Sequence, residues 1–408
     1  MASRRITNGS ILVGVGFLTL GVTFSVRVMF ALAMPFIRAD TGWDPLFLST
    51  VMSIALIVSG FLTPVAGRMA DRNGPRGALL IGLATIGVGM TLVSLAWHPA
   101  VMVFGFGLVG GAGFALVSTS VVSTAVALAF TTNRGFATGI ATSGESAGQF
   151  LFIPLFAILL AATSWRLSFG AGALACFLLV GVVAVAMRPS RNISSSPTGQ
   201  ATDKPRTSLI ADVRYLSAQP VFYLLFVSYF ICGVTSTGII ESQFMPFAAF
   251  CGIPPLPTAT AYGLLSLLNL GGMVLAGWLA DRIDRVALLA GIYFIRALTF
   301  LLLIGVGTNY QTLLVFAVIF GIVDYSTVPV TVSLCASHLD RRILGFAFGL
   351  ISGGHSVGAA LGAILGGAIF SSTAGYGLMW LTGTWAALGA AVLVLGIYRT
   401  RPAARLPA

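Results

Sequence analysis

Six ionisable side chains interrupt stretches that are otherwise apolar: Arg27, Glu145, Glu241, Arg296, Asp324 and His355. A charge inside an apolar run of membrane length is costly and marks a substrate or ion pathway by default. A guanidinium at Arg27 offers a bidentate clamp for a carboxylate, or it forms an internal ion pair with Glu145 or Glu241. Glu145 and His355 occupy the same place in two copies of an internal repeat described below. Two opposed titratable groups could hold a proton or a cation; alternatively His355 only bonds a neighbouring helix. Glu241 stands two residues before Gln243 and five before Pro246, and reads as a proton site or as the counter-ion of Arg27. Asp324 joins Glu145, Glu241 and His355 as a candidate for proton coupling. Asn269, Gln243 and Tyr325 are further candidates for substrate contact. The chemistry is that of binding and proton exchange. An enzyme would need clustered His, Asp or Glu at ligand spacing, and His98, His338 and His355 are far apart in sequence. No metal site, phosphate loop or cofactor motif is present in the sequence.

These residues need elements that cross a bilayer. Of 408 residues, 57% are apolar and 8% charged, against about 25% charged in a soluble domain. Twelve runs are long enough to span: 11–37, 46–66, 77–97, 100–130, 135–162, 166–187, 220–249, 258–280, 286–306, 310–337, 343–370 and 374–398. The first is too long for a signal-peptide core and reads as a retained helix. The polar segment 188–218 reads as a mobile cytoplasmic linker between bundles at 1–187 and 219–408. Cys176, Cys232, Cys251 and Cys335 are scattered through apolar runs and read as small core residues.

The net charge of +11 suggests nucleic acid at first sight. The basic residues instead lie in short loops between spans, which excludes that reading. With both termini inside, 18 basic residues face the cytoplasm and Arg38 and Arg166 face outward, as the positive-inside rule demands. The expected setting is a lipid bilayer with both termini on the cytoplasmic side; a bacterial inner membrane and a monomer are the further expectations, which go with the resemblance given below.

The halves align at a constant offset of 210. Gly67-Arg68-Met69-Ala70-Asp71-Arg72 matches Gly277-Trp278-Leu279-Ala280-Asp281-Arg282. Gly135-Phe136-Ala137, Gly139, Gly144, Ser146 and Gly148 match Gly345-Phe346-Ala347, Gly349, Gly354, Ser356 and Gly358. One offset in two separate regions implies parallel repeats with a substrate path between them. The loop Gly67-x-x-x-Asp71-Arg72-x-Gly74-x-Arg76 resembles the signature loop of the major facilitator superfamily. Over nearly its whole length the chain is similar to the monocarboxylate-porter-like branch that includes oxalate/formate exchangers. The matching pieces are Gly139-x-x-x-Ser143-Gly144 with Gly148-Gln149 and Pro154, then Trp165-Arg166, Gln243-x-x-Pro246 and Tyr293-x-x-Arg296.

The resemblance implies an all-α membrane protein with twelve transmembrane helices in two pseudo-symmetric six-helix bundles. It implies alternating access driven by a gradient. The first and seventh helices would line the central cavity, which places Arg27 and Glu241 there. The ninth would be peripheral, making Arg296 the partner of Asp324 in a structural ion pair. The resemblance also implies that Asp71 faces the start of the eleventh helix near Leu344 when the cytoplasmic side is closed. A carboxylate there gains about 0.3–1 kcal/mol from the helix dipole. Arg134 could pair with Asp71, and Asp281, Arg282 and Arg341 would form the symmetry mate. These residues, with Gly67, Arg72 and Arg76, would latch one state, or they are loop charges that only set topology. One departure bears on substrate: Met273 stands where many branch members carry an arginine. The expected function is proton-coupled transport of a small monocarboxylate-like anion. The alternative is proton-driven export of toxic compounds, although Gly144-Glu145 stands where such antiporters usually show Gly-Pro.

Overall fold

The structure, a computed structural model, describes residues 2–130, 132–187 and 208–400. Every regular element among them is helical. Lipid offers no hydrogen bonds, so each crossing segment must satisfy its own backbone. Eleven helices are long and apolar enough to cross a membrane. The twelfth crossing is Arg134–Ala162. In chain order they are α1 (Ala2–Thr41), α2 (Pro45–Asn73), α3 (Pro75–Ser94), α4 (Pro99–Ala129), α5 (Arg134–Ala162) and α6 (Trp165–Ala186). The second half supplies α7 (Pro220–Phe250), α8 (Pro255–Ala280), α9 (Arg285–Ile304), α10 (Tyr310–His338), α11 (Leu344–Thr373) and α12 (Gly377–Leu395).

Proline opens α2, α3, α4, α7 and α8, where its missing N–H has no partner to lose. Gly74 joins α2 to α3 at φ 79, a conformation that a side chain resists. The helices outrun the apolar runs. α1 begins at Ala2 and α2 continues to Asn73, because helical hydrogen bonding does not stop at the edge of the lipid.

One apolar core is built from residues between Val15 and Val183. Two others lie between Leu216 and Ile397, joined from the first half by Ala127 and the partly buried Leu128. The halves meet along two seams, α2 against α11 and α5 against α8. Part of the segment read as a mobile linker is a helix, Leu209–Ser217, capped by Ser208 Oγ, which accepts from Ala211 N. Its Leu216 and Asp212 are buried, and that burial orders it. Residues 188–207 lie outside the described ones.

Candidate functional site

Two carboxylates close the arginine-rich end. Asp71, at the end of α2, accepts from Gly345 N and Phe346 N of α11, both at 2.8 Å. Asp281, at the end of α8, accepts from Gly135 N and Phe136 N of α5, also at 2.8 Å. Each carboxylate satisfies two N–H groups that the first turn of a helix leaves without partners. The two clamps are related by the offset of 210. They need backbone contact: a methyl group on Gly67 would lie 2.0 Å from the Gly345 oxygen, and one on Gly277 2.2 Å from the Gly135 oxygen.

The arginines divide differently from the sequence expectation. Arg134 does not meet Asp71. It stands at the start of α5, where it donates to the Phe130 carbonyl (3.3 Å) and feels the charge of Asp281. The reason is topological: Asp71 docks on α11, and α5 receives Asp281. Arg76 reaches the Ala184 carbonyl on α6, within its own half, at 3.5 Å. Arg282 stacks on Trp278 at 3.9 Å, and Arg72 is exposed at the end of α2. Arg341 crosses between halves to the Leu128 carbonyl at 3.2 Å.

The Leu209–Ser217 helix straps the same end. Asp212 forms a salt bridge of 2.7 Å with Arg68 of α2. Tyr215 Oη accepts from Asp340 N of the second half at 3.2 Å. Burial holds the Tyr215 hydroxyl above its usual titration range.

Polar groups gather at the centre of the spans. The break at Asp324–Ser326 in α10 frees backbone groups at membrane depth, and three of them find side-chain partners on other helices. Arg296 of α9, fully buried, donates to the Asp324 carbonyl (2.5 Å) and the Val323 carbonyl (3.4 Å). Its guanidinium lies 3.5 Å from the Asp324 carboxylate and 3.0 Å from Cys232 Sγ. Asn269 of α8 accepts from Tyr325 N (3.3 Å) and donates to Asp324 (3.5 Å). Its amide is therefore occupied by the break. α4 is also interrupted, at Val117–Ser118, and Thr119 just beyond donates to the Glu145 carboxylate.

Glu241 ends a π-helical stretch of α7, Val234–Glu241, a wide turn that recurs at functional sites. Tyr325 Oη donates to its Oε1 at 2.6 Å and Thr237 Oγ1 at 3.2 Å. Arg27 is half-buried on α1, its guanidinium 4.2 Å from the centre of the Phe24 ring. It forms no salt bridge with any described residue, yet its charge acts on both Glu145 and Glu241. His355 of α11 lies over Tyr229 (4.9 Å), and its charge reaches Glu145 and Asp324. Gln243 lies against Gly366 of α11.

The structure thus gathers Arg27, Glu145, Glu241, Asp324, Tyr325 and His355 around one centre. Thr119, Thr237, Cys232 and the Arg68–Asp212 pair were not singled out from sequence. A hydroxyl or thiol in an apolar helix gives no signal until its neighbour is known. Asp212 was the legible one, an acid within a short segment of helical spacing.

Comparisons with known proteins agree with this architecture. The profile of the Major Facilitator Superfamily matches residues 16–307 and 272–408. Monocarboxylate transporter 13 of Rattus norvegicus is 28% identical over 350 residues, covering 85% of this chain and 79% of the relative. An uncharacterized MFS-type transporter, YcxA, of Bacillus subtilis (strain 168) is 26% identical over 345 residues, covering 82% and 81%. Among solved structures, the E. coli fucose:proton symporter superposes with a TM-score of 0.76 at 14% identity, covering 97% of this chain and 99% of that one.

Proposed function

This chain belongs to the Major Facilitator Superfamily, a multi-pass membrane transporter, and we propose that it moves a small monocarboxylate-like anion by alternating access with a coupled proton. The observation that carries the reading is Arg27: a guanidinium at membrane depth, half-buried, with no salt-bridge partner among the described residues. An unpaired charge there is costly, and a bound carboxylate would repay that cost bidentately. The names of the monocarboxylate transporters among its relatives support the same class. Asn269, Gln243 and Tyr325 are assigned to the walls of the binding space. Glu145, Glu241, Asp324 and His355 are the proton-coupling candidates, and Arg296 with Asp324 is the structural pair.

The arginine-rich end is read as cytoplasmic, from 18 basic residues against two. On that reading the clamps of Asp71 and Asp281 hold an outward-open state, and their release opens the inward one. The chain is placed in a bacterial inner membrane as a monomer.

The test is a thermal-shift screen of purified protein against monocarboxylates, dicarboxylates and lipophilic cations, repeated with Arg27→Ala. A ligand at a hundredfold excess over its Kd stabilises the folded state by about 2.7 kcal/mol. A carboxylate is expected to stabilise the parent, and Arg27→Ala is expected to weaken its binding about ten- to hundredfold. Stabilisation by lipophilic cations alone, equal in both proteins, would replace this reading with the exporter one.

A further inference from the structure

The four titratable groups around Arg27 are not equivalent. Glu145 is 4% exposed, and the Thr119 hydroxyl is bonded to its carboxylate. Asp324 is 2% exposed and is held by Arg296 and Asn269. The His355 ring lies 4.9 Å from that of Tyr229, tilted by 41°. Glu145 also keeps one oxygen without a hydrogen bond, and His355 is also half-buried, but Glu241 alone of the four combines half-burial with such a carboxylate oxygen. Both of its hydrogen bonds, from Tyr325 and Thr237, fall on Oε1. Oε2 accepts no hydrogen bond, and it is absent from the sealed, partnerless polar atoms of the interior. The residue is half-buried, as Arg27 is. Arg27 comes from the first half and Glu241 from the second. Arg27 lies within electrostatic reach of Glu241, and no salt bridge joins these opposite charges of the two halves.

We infer that Glu241 carries the coupled proton, and that it does so in contact with the substrate, donating from Oε2 to the anion that Arg27 holds from the other side. The inference rests on the carboxylate reading above. Ionised, Glu241 would repel an anion at Arg27. Protonated, it supplies a donor, so the anion and the proton enter together from water on the open side. Both leave to water on the other side. The bare Glu241 carboxylate then faces Arg27 across the emptied gap, and the empty carrier can return. One anion and one proton cross per cycle with no net charge.

The groups facing Glu241 are Arg27 from α1, Glu145 from α5, Tyr262 from α8, and Asp324 and Tyr325 from α10. His355 of α11 acts on Glu145 and Asp324, and Arg296 of α9 is engaged by Asp324. α12, which packs on the π-helical stretch, has no titratable residue between Gly377 and Leu395.

The experiment uses the full chain in proteoliposomes with radiolabelled glycolate, pyruvate and malonate as probes. The parent is expected to accumulate a probe when the outer pH is lower than the inner. Glu241→Gln, a fixed neutral mimic, is expected to exchange the probe across the membrane without response to pH, and to lose accumulation. Tyr325→Phe removes a hydrogen bond that favours the ionised carboxylate, so the pH of half-maximal uptake should rise by about one unit. Proton-driven accumulation by Glu241→Gln overturns the inference, as does uncoupling by Glu145→Gln in its place. If Glu241→Gln loses exchange as well, Tyr325→Phe decides: an unmoved pH profile overturns it. A parent that neither exchanges nor accumulates any probe overturns the carboxylate reading, and this inference with it. That failure is told apart by the absence of any signal before mutation.

Discussion

Replacing Asp71 by Asn should open the arginine-rich end without unfolding the protein. In the closed arrangement the carboxylate accepts two backbone N–H groups of α11 at 2.8 Å. Asparagine keeps one acceptor oxygen but turns its own N–H toward the second donor. One hydrogen bond to a charged group is lost, about 1.5–3 kcal/mol. The attraction of the carboxylate to the start of α11 is lost too, about 0.3–1 kcal/mol. The closed state should weaken by about 2–4 kcal/mol, a shift of about 30- to 700-fold in the ratio of open to closed. Spin labels on cysteines placed at Asn73 and Arg342, exposed residues on either side of the seam, read that ratio as a distance distribution. Asp281 makes the same two bonds on α5, so Asp281→Asn should match it, and the pair together should exceed either. Turnover should fall more than substrate affinity. A distance distribution unchanged by Asp71→Asn, or a shift under about threefold, would refute the reasoning, since a charge-assisted bond cannot vanish without effect.

Gly67→Ala drives a methyl group to 2.0 Å from the Gly345 oxygen, so the same label pair should report opening by about tenfold or more while size exclusion shows an intact monodisperse protein. Arg296→Leu leaves the Asp324 carboxylate and two freed carbonyls without their cation. It should lower stability by about 3–5 kcal/mol in thermal unfolding, and Asp324→Asn in the same chain should restore part of the loss. Asp212→Asn breaks the bridge to Arg68 and should weaken closure by about 1–2 kcal/mol in the label experiment, adding to Asp71→Asn if the strap acts independently.

Much of this protein follows from the chain alone. Long apolar runs cannot be anything but spanning helices, because lipid leaves the backbone no other partners. The offset of 210 made the two clamps legible as a pair, and Arg27 stood out as a cation in an apolar run, a substrate clamp or one member of an internal ion pair. Pairing across the halves was another matter. Sequence put Arg134 with Asp71, whereas the fold sets it at the start of α5, beside the N–H groups that Asp281 caps, since each carboxylate docks on the helix of the opposite half. The breaks in α4 and α10 were hidden for a similar reason: no proline or glycine stands at Val117–Ser118 or Asp324–Ser326. What permits the α10 break is Arg296 and Asn269, far away in sequence, filling the backbone groups it frees. Periodicity reports what a segment does with its own hydrogen bonds and with lipid. Which oxygen of each acid is bonded depends on donors from four different helices, and only their packing decides it.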